Sequence, residues 1–189
     1  MNFNNIYDHT SFSEKEMEVI KSVHKKTTFK KGEFLLKEKQ IAKEYFCVES
    51  GTIRAFAIDT NGNQITTNFF SKNEIAIEPS SLFLNERTKE NIQALTDCVC
   101  WKINFDDFQK LFQTVPYFSD WGRLWMTREL LNSKQRSISI ITDSAKERYL
   151  ELQKSKPEVA LHAPLKHIAS YLGITDSTLS KIRRELSKF

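Results

Sequence analysis

Gly173 separates two stretches of helical periodicity that a single helix could not satisfy. Before it, Leu165, Ile168, Ala169 and Leu172 fall at i, i+3, i+4 and i+7, which places them on one face of a helix opening after Pro164. Glycine adopts the left-handed backbone that closes a helix at little cost, and Ile174 just beyond it can turn into the core. Thr175 is a good N-cap for a second helix. There Leu179, Ile182 and Leu186 face inward, while at about 100° per residue Ser177, Lys181 and Arg184 gather on the opposite side. The pattern predicts a helix-turn-helix. An ordinary αα-hairpin is the plain alternative, but the three-residue turn, the unbroken polar and basic outer face and the position next to the last residue, Phe189, favour a helix free to dock.

That outer face suits the major groove of DNA. Ser177 lies in the first turn, where a recognition helix meets base edges, with Thr175, Asp176 and Ser180 beside it. Lys181 can reach a guanine or a phosphate, and Arg183 and Arg184 can neutralise backbone charge. From Lys181 to Phe189 there are four basic residues and one acidic one, so the mild net charge of +4 is concentrated where the motif needs it.

Upstream the chain reads differently. Ser13 and Glu16 form a capping box ahead of Met17 and Ile20, which predicts a short helix. From Thr27 to Asn104 short β-rich runs alternate with turns: Thr27–Phe29, Glu33–Leu36, Tyr45–Glu49, Thr52–Asp59, Gln64–Phe70, Ile92–Leu95 and Val99–Asn104. Lys31-Gly32, Ser50-Gly51 and Asn61-Gly62 mark turns, the last being the clearest hairpin signal. Closely spaced short strands predict a sandwich or rolled barrel. Phe105, Phe108, Leu111 and Phe112 then predict a helix packed on that barrel and ended at Pro116.

A longer helical stretch runs from about Tyr117 to Ile141. Within it Trp121, Leu124, Arg128, Leu131, Gln135 and Ile138 follow alternating steps of three and four, a heptad seam with two polar interruptions. A helix of about 37 Å is longer than a lone barrel needs, and dimerisation is the natural use of its seam. Thr142-Asp143-Ser144 breaks it, with Asp143 expected to cap a shorter helix that carries Ala145, Tyr149 and Leu152 up to Pro157. Val159 to Ala163 reads as a short strand leading into Pro164.

A length of 189 residues allows one fair-sized domain and a small one. The expected division is 1–116, 117–141 and 142–189. No apolar run approaches the roughly 18–20 residues of a membrane span, and Met1 to Asn5 show neither a basic start nor an apolar core of a signal peptide, so the expected location is the cytoplasm. Cys47, Cys98 and Cys100 form neither a disulfide framework nor a zinc pattern and read as buried thiols. No metal, cofactor or catalytic set is expected. A metal enzyme on a β-roll would need closely spaced histidines on its strands, whereas His9, His24, His162 and His167 all lie outside the β region.

The order of these parts resembles the Crp/Fnr (cyclic-AMP receptor protein) family of bacterial transcription regulators. The residues that carry the resemblance are Phe29 to Leu35, Val48 to Arg54, Ala145 to Tyr149 and Ile168 to Thr175. It implies an α+β fold: an N-terminal β-roll of the cyclic-nucleotide-binding type (a double-stranded β-helix), a long dimerisation helix and a C-terminal helix-turn-helix domain. It further implies a homodimer whose recognition helices enter successive major grooves about 34 Å apart, with double-stranded DNA, a second copy of the chain, a small-molecule effector and RNA polymerase as partners. At the recognition helix, Asp176, Ser177 and Lys181 stand where the family often carries Arg, Glu and Arg, so base preference should differ. The wing hairpin that often follows that helix is not expected.

Cyclic-nucleotide binders of the family use a Gly-Glu pair and an Arg-Ser/Thr pair. Between Asn63 and Trp121 there is no glycine. A gapless match gives Glu78 for the Glu but Ile77, Thr88 and Lys89 for the Gly, Arg and Ser; one inserted residue instead brings Arg87 and Thr88 onto the second pair. Pro79-Ser80-Ser81 in place of an apolar short helix points to a remodelled pocket. The expectation is therefore an effector other than cyclic AMP, or none, with Glu78, Arg87 and Thr88 as candidate contacts of any effector. A ligand-binding or interaction module without sequence-specific DNA binding is the alternative function.

Overall fold

The computed structural model describes residues 1–8 and 11–187, so His9, Thr10, Lys188 and Phe189 lie outside the described residues. A single 3-10 turn at Phe3–Asn5 leads to α1, Glu14–Ser22, which starts with the expected box: Ser13 accepts from the Glu16 amide, and Glu16 accepts from the Ser13 amide at 2.7 Å. Eight strands follow: β1 Lys25–Phe29, β2 Phe34–Leu36, β3 Glu44–Ser50, β4 Ile53–Ile58, β5 Gln64–Phe70, β6 Ile75–Ala76, β7 Glu90–Ala94 and β8 Cys98–Asn104. They form two four-stranded antiparallel sheets, in the orders β1-β8-β3-β6 and β2-β7-β4-β5. A short helix, α2 at Pro79–Leu84, lies between β6 and β7.

The strands are short because turns cut them. Gly62, at φ 83°, closes the β4–β5 hairpin, with the Asp59 carboxylate accepting from the amides of Asn61 and Asn63. Gly51, at φ 95°, turns β3 into β4 directly against Asp97 and Cys98. Tyr45, Phe46, Cys47 and Val48 are all buried, since one face of β3 meets the roll interior and the other is covered by the N-terminal residues and by α3, Phe105–Thr114. The thiols of Cys47, Cys98 and Cys100 are free and buried, and burial pushes Cys47 and Cys100 up to about 12.

α4 runs from Phe118 to Thr142. Its first turns are locked into the roll: Phe118, Trp121 and Gly122 are buried, and the Trp121 indole N–H donates to the Ile6 carbonyl at 3.0 Å. Trp121 therefore cannot belong to an exposed seam. It sits about 60° around the helix from Leu124, on the flank that faces its own domain. Leu124, Arg128, Leu131, Gln135 and Ile138 remain exposed.

Beyond α4 come α5 Ala145–Ser155, α6 Pro157–His162, α7 Leu165–Leu172 and α8 Asp176–Leu186. Three local expectations change. Ser144, not Asp143, caps α5, through a box with Glu147; Asp143 closes α4 and accepts from the Ser139 hydroxyl at 2.6 Å. Residues Val159 to Ala163 are not a strand. Pro157 starts a helical turn that buries Val159 among α5 and α7, and the outer edge of β5 nearby is bonded instead by the side chains of Arg136, Lys156 and Ser170. Nor does Pro79-Ser80-Ser81 abolish the short helix: proline is at home in a first turn, and Glu78 caps it.

Candidate functional site

Gly173 ends α7 at φ 68°, in the left-handed conformation the sequence predicts, and Thr175 caps α8 by accepting from the Thr178 amide at 3.3 Å. Leu179 and Ile182 are buried against α7, and Ile174 and Leu186 pack beside them. Thr175, Asp176, Ser177, Ser180, Lys181, Arg183 and Arg184 are all exposed. The Thr175 hydroxyl is occupied, lying 2.9 Å from those of both Ser177 and Thr178, so it serves the cap. Asp176 stands in the first turn, where the helix dipole favours a carboxylate. The basic side chains of α8 make no ion pair among the described residues, which leaves a cationic stripe facing solvent.

Two cavities of the β-roll bear on the site. The larger, of about 640 Å³, lies between the β2–β3 connection, α2 and β7; its lining includes Lys39, Gln40, Lys43, Glu44, Glu78 and Arg87. Glu78 and Arg87 thus come together, and Thr88 does not join them. The Thr88 side chain is buried and accepts from the Glu90 amide at 2.9 Å. Glu78 is already committed: one oxygen accepts from the Ser81 amide and the other from the Ser80 hydroxyl, both at 2.6 Å. Arg87 donates to the Lys39 carbonyl at 3.2 Å, and Lys102 holds Glu44 at 3.0 Å. The cavity therefore presents cations on one side and an engaged carboxylate on the other. Lys39, Gln40 and Lys43 have no spacing in the sequence that would mark them; only the folding of the β2–β3 connection over β7 brings them here. The second cavity, about 260 Å³, is apolar and lies under the start of α4, between Phe83, Phe108, Phe112 and Trp125. No group of three or more His, Cys, Asp or Glu side chains among the described residues is placed to hold a metal ion.

Residues 26–115 match the cyclic nucleotide-binding domain family. With a roll of this type followed by a long helix and a terminal helix-turn-helix, the architecture is decided. The chain has the Crp/Fnr fold. Among Crp/Fnr-type structures, FixK2 from Bradyrhizobium japonicum superposes with a TM-score of 0.73 at 19% identity, over 88% of this chain and 85% of that one. The c-di-GMP-responsive regulator CLP from Xanthomonas campestris superposes with a TM-score of 0.71 at 15% identity, over 93% and 92%. In sequence, electron transport regulator A from Shewanella oneidensis is 22% identical over 178 residues, covering 88% of this chain and 70% of the relative. No helix among the described residues is long and apolar enough to cross a membrane.

Proposed function

We propose that the chain is a homodimeric DNA-binding transcription regulator, not an enzyme, with a sensor part at 1–116, a dimerisation helix at 117–141 and a DNA-binding part at 142–189. The observation that carries this reading is the outer face of α8, where Ser177, Ser180, Lys181 and Arg184 are exposed to solvent while Leu179 and Ile182 hold the helix down. Dimerisation is supported by α4, whose Leu124, Leu131 and Ile138 are 45%, 59% and 42% exposed along one line of the helix.

The effector, in this reading, is not cyclic AMP. Ile77 stands where a glycine would admit the nucleotide closely, and both oxygens of Glu78 are spent on α2. CLP, which shares the fold, is described as responsive to c-di-GMP, so a change of effector within this architecture has precedent.

The test is selection of bound DNA from a random pool, with and without cyclic AMP. A two-fold symmetric site enriched equally in both is the expected outcome; enrichment only with the nucleotide would overturn the effector reading, and no enrichment in either would favour a binding module without sequence-specific DNA contacts. On the selected site, Lys181→Ala should weaken binding by roughly 1–3 kcal/mol while leaving unrelated DNA less affected. Equal loss on both would assign Lys181 to phosphate.

A further inference from the structure

The helix-turn-helix is clamped to the roll by side chains that come from two directions. From α4, Arg136 donates to the Thr67 carbonyl of β5 at 2.7 Å and to the Tyr171 carbonyl of α7 at 3.1 Å, with its guanidinium 4.1 Å from the centre of the Tyr171 ring. From β4, Arg54 is wholly buried; it donates to Gln64 at 2.6 Å, lies 4.0 Å over the Phe56 ring and meets Nδ1 of His167 on α7. Between the two, the Ser170 hydroxyl accepts from the Thr66 amide at 3.1 Å. Every hydrogen-bond partner of the two guanidinium groups is neutral, and the Nε of each is buried with no partner.

For Arg54, wholly buried, that arrangement is costly in a permanent joint, whereas Arg136 is half-buried and has the Glu90 carboxylate near enough to feel its charge. A guanidinium taken out of water is held firmly by a carboxylate, in two parallel charge-assisted bonds, and less firmly by carbonyls and an imidazole. Apolar side chains of similar size would join the same surfaces without desolvating a charge. The position of Arg136 matters most, because one side chain spans the long helix, the sheet and α7 together. A turn or slide of α4 by a fraction of a helical step would break one of its two carbonyl bonds and loosen one of the points that hold α7 on β5.

We propose that Arg136 is a positioning residue that transmits the setting of α4 to the helix-turn-helix, with Arg54 and His167 as the second point of a two-point latch that fixes the orientation of α7, and through it α8, on the roll. The latch stands on contacts alone; its effect on DNA rests on the function proposed above.

The experiment uses the full chain carrying Arg136→Met, which keeps the apolar stem and removes the fork, with Arg136→Lys as the second variant in case the first does not fold. Backbone hydrogen exchange is followed across 64–70 and 165–172. The expected result is exchange roughly tenfold faster in 165–172, with α1 and β8 unchanged. Exchange in 165–172 equal to that of the unaltered protein would overturn the latch, and this readout needs no DNA. Binding is then measured on the selected site and on versions with one or two base pairs added between the half-sites. The unaltered protein should discriminate among spacings, and the variant should lose most of that discrimination while still binding one half-site. Faster exchange with unchanged spacing discrimination would overturn the positioning role, whereas failure of the unaltered protein to select any site would strike the proposed function alone.

Discussion

Tyr7 joins residues that lie far apart in the chain: its hydroxyl is 2.8 Å from Nε2 of His24 and 2.7 Å from the Tyr45 hydroxyl. Nδ1 of His24 is 2.7 Å from the Ile20 carbonyl, which can only accept, so Nδ1 carries the proton; Nε2 then accepts from Tyr7, and Tyr7 accepts from Tyr45. Burial of this network lowers His24 to about 4. The folded chain thus binds fewer protons than the unfolded one between pH 6.5 and 4, and stability falls as the pH drops through that window. The share of His24 is about 3 kcal/mol, to be read in urea melts across the range; His24→Gln should flatten the slope by about one proton. His167, lowered to about 4 by burial and by the neighbouring Arg54 and Lys166, acts with the same sign, and its protonation would remove the acceptor that Arg54 uses. Gly51 is the second position where one atom decides: a Cβ there would lie 2.6 Å from the Asp97 carbonyl oxygen and 2.9 Å from Cα of Cys98. Gly51→Ala should cost about 2–4 kcal/mol, measured by thermal melting, since both backbone strain and the meeting of β3, β4 and β8 are involved. The Ser50-Gly51 turn is legible in sequence; the hydroxyl network is not, because nothing local relates Tyr7 to Tyr45.

Among the elements, α4 carries the most consequence. Its apolar residues point to every side, and its buried residues, Phe118, Trp121 and Gly122, all lie in its first turns. Leu131, 59% exposed, lies mid-way along the proposed seam, so Leu131→Asp should convert dimers to monomers in light scattering without lowering the helix content seen by circular dichroism. Surviving dimers would move the interface elsewhere. Heptad spacing states which residues share a line and not which way that line faces, and this is why Trp121 joined the seam in sequence but the roll in three dimensions. The start of α5 is legible in the sequence: Ser144 and Glu147 have the same spacing as Ser13 and Glu16, whereas Asp143, one residue earlier, has no Glu or Gln three residues on. α6 was not readable, because five residues with one β-branched side chain carry no period, and the helical surroundings chose for them.

At the scale of the whole molecule, the roll and the helix-turn-helix share a core. Phe69 and Leu95 of the roll are buried in the same cluster as Tyr149, Val159, Ile168, Leu172 and Leu179. The joint is completed by Lys156, whose ammonium donates to the Phe69 carbonyl at 2.7 Å and to Glu74. The full chain should therefore unfold in a single calorimetric transition; two resolved transitions would show that this shared cluster contributes little. Periodicity, capping and turn chemistry act over a few residues, and they sufficed for the hairpin at Asn61-Gly62, the long helix, the Gly173 turn and the face that α8 presents. They were silent on Arg54, which reads as an outward residue of a β-strand and becomes wholly buried because α7 lies over it. The gathering of Lys39, Lys43 and Arg87 around one cavity, the buried triad of Tyr7, His24 and Tyr45, and the grip of Arg136 on two elements likewise exist only after distant segments have packed, since each depends on burial and on partners that no local stretch of chain contains.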